Sequence, residues 1–133
     1  MTTSAVPSHS RNQVDAITAE VIAHRLRSCS DEMMATLVKT AYSPNIKERR
    51  DCSTGIFDAQ GRLLALTAIA PLHLSSLIGT IESVLRRFPI ERMRSDDAFV
   101  VNDPYNGGGS HLPDITMVAP VYSAHRVVAF VAN

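Results

Sequence analysis

The sequence carries no excess of either charge: Lys plus Arg number 13 and Asp plus Glu number 13 in 133 residues. That balance removes the basic footprint of a nucleic-acid binder and the electrostatic pull toward an anionic membrane. No apolar run approaches the roughly 20 residues of a membrane-spanning helix. Residues 1–12 are polar and lack the apolar segment of a secretory signal, which points to a cytoplasmic protein. Cysteine is scarce, and Cys29 and Cys52 form no short-spaced pair. They read as two reduced, partly buried thiols. Internal repeats and low-complexity segments are absent. What is present is 45% hydrophobic residues, a globular composition. The length suits one domain that hides about two thirds of its unfolded surface.

The patterning predicts an α+β fold with a long N-terminal helix, a second helix and a largely antiparallel sheet. Residues 1–14 read as a disordered tail and 15–133 as the folded part. From Asp15, a candidate N-cap, apolar residues at Ile17, Val21, Ile22, Leu26, Met33, Met34, Leu37, Val38 and Ala41 mark one face of a helix. Pro44 stops it, and Ser28 and Ser30 suggest a kink or break midway. Thr54–Asp58 and Arg62–Ala68 flank a turn with Gly61, the signature of a β-hairpin. Ser75–Phe88 has helical spacing, with Ser75 or Ser76 as cap and Pro89 as terminator. Ala98–Val101 reads as a buried strand. Ile115–Tyr122 and Val127–Ala132 read as strands around a turn that holds His125. A stop at Asn133, directly after an apolar strand, leads us to expect a portion of a larger fold, its last strand short of partners.

Chemistry concentrates in Asn102–Asp114, "NDPYNGGGSHLPD". Three successive glycines, Gly107, Gly108 and Gly109, serve unusual backbone angles or a close approach to a bound group. The phosphate-loop pattern fails, because Ser110-His111 stands where Lys-Ser/Thr is needed. The dinucleotide pattern fails because Pro113 and the β-like run from Ile115 oppose a following helix. The glycines stay candidates for lining a cofactor site. His111 and Asp114 pair an imidazole with a carboxylate, a donor set suited to zinc, manganese or iron, and Asp103 is a third candidate for ligation or support. The competing reading is a glycine-rich turn with a surface His, since two ligands do not complete a site. His73, between apolar neighbours just before the second helix, fits either a half-buried His bonded to backbone or a catalytic group. Glu48 and Asp51, in the run Glu48-Arg49-Arg50-Asp51, fit either a solvated turn or carboxylates lent to a site.

Several stretches, taken together and in order, resemble the N-terminal part of the hydantoinase B/5-oxoprolinase family: "EVIAHRLRSCSDEMMATLVKTAYSPNIKERRDCSTGIFDAQGRLLA", "APLHLSSL", "NDPYNGGGSHLPDITMVAPVY" and "VVAFVAN". The family includes subunits of acetone and acetophenone carboxylases, and the resemblance covers nearly all of Asp15–Asn133. It implies ATP-dependent hydrolysis of cyclic amides such as hydantoins or 5-oxoproline, or else carboxylation of ketones. It implies a hydantoinase A-type partner with an actin-like fold that binds and uses ATP. It also implies a divalent metal whose ligands include His111 and Asp114; Glu48, Asp51 and His73 are our candidates for supporting catalytic roles near it. A further family His follows the strand that ends here at "VAN", so the resemblance implies a chain inactive alone. The alternative from another class is a non-catalytic fragment whose long helix docks on the A-type subunit.

Overall fold

The computed structural model describes residues 14–69 and 72–133. Apart from Val14, the expected tail lies outside them. The fold is α+β, in the order α1 (Ala16–Thr40), α2 (Pro44–Lys47), β1 (Ser53–Asp58), β2 (Leu63–Ala68), α3 (Leu72–Arg87), β3 (Phe99–Val101), β4 (Thr116–Ser123) and β5 (Arg126–Ala132). A single 3-10 turn at Ile90–Arg92 links α3 to β3. The strands form one antiparallel sheet ordered β2-β1-β5-β4-β3, so the last strand, β5, is paired on both sides and not short of partners as expected. None of the described helices is long and apolar enough to cross a membrane.

The core lies between α3 and one face of the sheet. Leu77, Ile81 and Val84 repeat at helical spacing on α3 and meet Phe57, Val118, Phe130 and Ala132 from β1, β4 and β5. Phe57 and Phe130 are paired across β1 and β5 and are both fully buried. Strand β1 is buried on both faces, because α1 covers the other side. There the Ser30 hydroxyl sits 3.1 Å from the Thr54 carbonyl, and the Thr54 hydroxyl donates to the Ser30 carbonyl at 2.8 Å.

Helix α1 starts as its sequence predicts: the Asp15 carboxylate accepts the Thr18 N–H at 2.9 Å. Two expectations for it are corrected. The helix does not break at Ser28 and Ser30. Ser28 bonds back to the His24 carbonyl, and Ser30 is tied to Thr54, so both hydroxyls are satisfied without disrupting the helix. The apolar face is also only half used. Ile17, Val21 and Ile22 are exposed, while Met34 is buried. Twenty-five residues rise roughly 37 Å, whereas a six-residue strand runs about 20 Å, so the first turns of α1 project past the sheet.

The β1–β2 hairpin forms as expected. Gly61 takes φ +79°, and the Asp58 carboxylate accepts the Gln60 and Arg62 N–H groups and the Arg62 guanidinium. Burial works to raise the Asp58 pKa, but the hydrogen bonds from Arg62 and Gln60 outweigh it and hold the carboxyl below its ordinary value. A carboxyl lowered in the folded state adds stability above its unfolded pKa, and that stability is lost as pH falls through the folded value. Asp58→Asn is therefore expected to cost about 1 kcal/mol at pH 7. Urea titrations of both proteins at pH 7 and in acid should show the difference shrinking on acidification.

Two more boundaries differ from the sequence reading. Helix α3 begins at Leu72, ahead of the expected serine caps. Ser75 bonds back to the Leu72 carbonyl, and Ser76 is buried. Strand β3 is the sheet edge rather than a buried strand, and its Val100 is exposed. The β4–β5 turn lies where expected, with Ala124 and His125 both at positive φ.

Candidate functional site

One cleft of about 490 Å³ opens beside the first turns of α3 and gathers four of the predicted residues: Asp51, His73, His111 and Asp114. Two structural devices bring them there, one for each pair.

The first pair comes from the segment leading into β1 and from α3. After α2, the chain turns through Arg50, held at φ +56°. Asp51 N–H bonds back to the Asn45 carbonyl, and Cys52 N–H to the Arg50 carbonyl. A left-handed arginine costs on the order of 1 kcal/mol, and here it aims Asp51 at the cleft. His73 is the second residue of α3, not a residue ahead of it, and its ring is largely enclosed. Its Nε2 lies 3.4 Å from Asp51 Oδ1, and its Nδ1 lies 2.7 Å from the Ser53 hydroxyl. Next to them, Cys52 is half-buried and bonds to the Met34 sulfur, while Cys29 is exposed rather than partly buried. Burial, and then the Asp51 charge, push the Cys52 thiol pKa up, which keeps it protonated.

The second pair comes from the glycine-rich loop. A four-residue turn, closed by the Asp114 N–H to the His111 carbonyl at 3.1 Å, sets His111 Nε2 3.0 Å from Asp114 Oδ1. The Ser110 hydroxyl donates to the other carboxylate oxygen at 2.9 Å. The glycines dock this loop onto α3. The Gly107 carbonyl accepts the buried Thr80 hydroxyl at 2.9 Å. Gly108, at φ +81°, lies against Gly79 so closely that a Cβ on it would overlap the Gly79 backbone. His73, Ser76, Leu77 and Thr80 lie on one face of α3, so a single helix carries the histidine of one pair and anchors the loop that bears the other.

The remaining predicted residues lie elsewhere. Gly107 and Gly108 make their close approach to the protein's own backbone, and a Cβ on Gly109 would make only ordinary contacts with Asp103 and Pro104. Asp103 faces a separate cavity beside Gly107. Its carboxylate accepts the Tyr105 and Asn106 N–H groups, which lower its pKa and hold the loop. Glu48 is exposed at the end of α2, outside the cleft. Ser53 was missed by the sequence reading. The signal was available: Asp51 and Ser53 are two apart in an extended segment and so share a face.

An ion of the zinc class sits about 2.0–2.2 Å from imidazole nitrogen and carboxylate oxygen. Two donors 3.0 Å apart, as in His111 and Asp114, can therefore share one. Among the described residues, no group of three or more His, Cys, Asp or Glu is close enough to hold a metal, so the pair fits as part of a ligand set.

Comparison with known proteins agrees with the architecture. Residues 15–133 match the family model described as Hydantoinase B/oxoprolinase. The chain is 42% identical over 123 residues to an uncharacterised protein of Methanocaldococcus jannaschii, covering 90% of this chain and 22% of that one. It is 37% identical over 122 residues to 5-oxoprolinase 1 of Arabidopsis thaliana, covering 92% and 10%. The chain thus spans about a fifth or less of the length of these relatives. Among solved structures, the ATP-dependent caprolactamase of Pseudomonas jessenii superposes with a TM-score of 0.76 at 29% identity, over 91% of this chain and 21% of that one. Acetone carboxylase in its nucleotide-free form shares the fold, with a TM-score of 0.75 at 22% identity over 87% and 15%. The chain belongs to the hydantoinase B/oxoprolinase family.

Proposed function

We propose that this chain is the N-terminal part of a hydantoinase B-type subunit that opens cyclic amides of the hydantoin or 5-oxoproline type, with ATP used by a hydantoinase A-type partner. The observation that carries the reading is the convergence of two imidazole–carboxylate pairs, Asp51–His73 and His111–Asp114, on one cleft in a member of this family. Amide hydrolysis is favoured over ketone carboxylation by the relatives' names. The better-matched solved neighbour acts on a lactam, and several relatives are 5-oxoprolinases.

In this reading, His111 and Asp114 hold a divalent metal, manganese, zinc or iron, while Ser110 orients the carboxylate. The metal supplies Lewis acidity toward the substrate oxygen. His73, backed by Asp51, faces the same substrate from the α3 side as its hydrogen-bonding and proton-handling group. Glu48 and Asp103 act from outside the cleft, Asp103 by holding the loop. The exposed apolar first half of α1, with Ile17, Val21 and Ile22, favours a docking role toward the A-type partner.

The test uses this chain and a chain extended to the length of its relatives, each purified with an A-type subunit. Metal content and ATP-dependent ring opening are measured in both. Metal and activity in the extended form, both lost in His111→Ala, are expected. Neither property in any form would sink the reading.

A further inference from the structure

The two contacts of the His73 ring, a hydrogen bond with Ser53 and a close approach to the Asp51 carboxylate, fix more than its position. An aspartate carboxylate only accepts, so the ring nitrogen facing it carries a hydrogen. That nitrogen is Nε2, 3.4 Å from Asp51 Oδ1. A neutral imidazole has one N–H, which leaves Nδ1 as an acceptor. The hydroxyl 2.7 Å from Nδ1 must then be the donor, and it belongs to Ser53, almost fully buried at the start of β1. The opposite tautomer would set a nitrogen lone pair against the carboxylate and leave the Ser53 hydroxyl to accept instead of donate. Backbone regularity holds this serine in place. Its strand neighbours Thr54–Phe57 are buried, and Ser53 pairs with Ala68 in β2.

We propose that Ser53 is a positioning residue: its hydroxyl holds His73 as the Nε2–H tautomer, so that an N–H beside the Asp51 carboxylate, and not hydrogen-bonded to it, stands on the cleft as a preformed hydrogen-bond donor. Such a donor suits a substrate oxygen on which negative charge develops, as at the carbonyl of an amide under attack. The catalytic part of this inference rests on the proposed function; the tautomer part does not. Ser53 acts through His73 and touches no reacting atom.

Long-range proton–nitrogen NMR of the histidine ring reads the tautomer directly, at a pH where His73 is neutral. The expected spectrum shows a protonated Nε2 and a bare Nδ1. Ser53→Ala should shift the ring toward a mixture, and Ser53→Thr, which keeps the hydroxyl, should restore it. In the extended chain with its A-type subunit, Ser53→Ala should lower kcat about tenfold with KM within about twofold, and Ser53→Thr should recover most of the loss. A protonated Nδ1 in the unaltered chain overturns the proposal. So does a Ser53→Ala chain that stays folded, by its amide spectrum, and keeps both tautomer and kcat. If no form opens a cyclic amide, the functional reading fails while the NMR result still decides the role of Ser53.

Discussion

Gly108→Ala is expected to disable the cleft, whereas Gly109→Ala, one residue away, is expected to be nearly silent. At Gly108, a Cβ would overlap the backbone of Gly79 and come within 2.5 Å of the Thr80 nitrogen, at a φ of +81°. Neither neighbour is a side chain that can rotate away. The left-handed conformation costs on the order of 1 kcal/mol by itself, and overpacking adds about 1–3 kcal/mol. The cheapest relief is for the loop to lift from α3, breaking the Thr80–Gly107 hydrogen bond and moving His111 and Asp114 away from His73. Displacement of about 1 Å at a reacting centre is enough for a 100-fold loss. At Gly109, the nearest atom to a Cβ is 3.8 Å away and φ is not positive. Urea denaturation and ring-opening rates of the two variants, run side by side, check this. Equal damage from both would show that the loop, not its contact with α3, sets the geometry.

The second large effect is in the core. Phe130→Ala is expected to lose about 3–5 kcal/mol, a large share of the 5–15 kcal/mol that holds a typical domain together. Phe130 is fully buried in β5, pairs with Phe57 in β1 and sits at the centre of the cluster that α3 covers. Because β5 joins the β1–β2 hairpin to β4 and β3, the sheet has no second link across that position. Val128→Ala in the same strand, where the β4–β5 register shifts, should cost far less, since its side chain already meets water. Thermal unfolding by circular dichroism separates the two. A Phe130→Ala protein as stable as the Val128→Ala protein would contradict the core described here.

Where local chemistry decides structure, the sequence was readable. The hairpin at Asp58–Gly61, the Asp15 cap and the β4–β5 turn each depend on residues within a few positions of one another. The departures all depend on distant partners. Whether Ile17 and Val21 are covered is set by the length of β1 and β2, not by the spacing within α1. A serine that caps a helix cannot be told by sequence from one that, like Ser76, is buried beyond the helix start. The site follows the same division. His111 and Asp114 share a turn and were paired on spacing, whereas Asp51 and His73, 22 residues apart, could only be carried as separate candidates. The glycine triplet is instructive in another way: its conformational demand was evident, but the object of the close approach, Gly79 of α3, was not.

The claim on which the rest depends is that the two imidazole–carboxylate pairs serve one reaction in one cleft. It is tested most directly by ATP-dependent ring opening of 5-oxoproline and hydantoin by the extended chain with the proposed A-type subunit. Asp114→Ala, His73→Ala and the unaltered chain are compared, each with folding confirmed. The account predicts loss of turnover by about 100-fold or more in either variant, one from each wall of the cleft. Full turnover in either folded variant would contradict it.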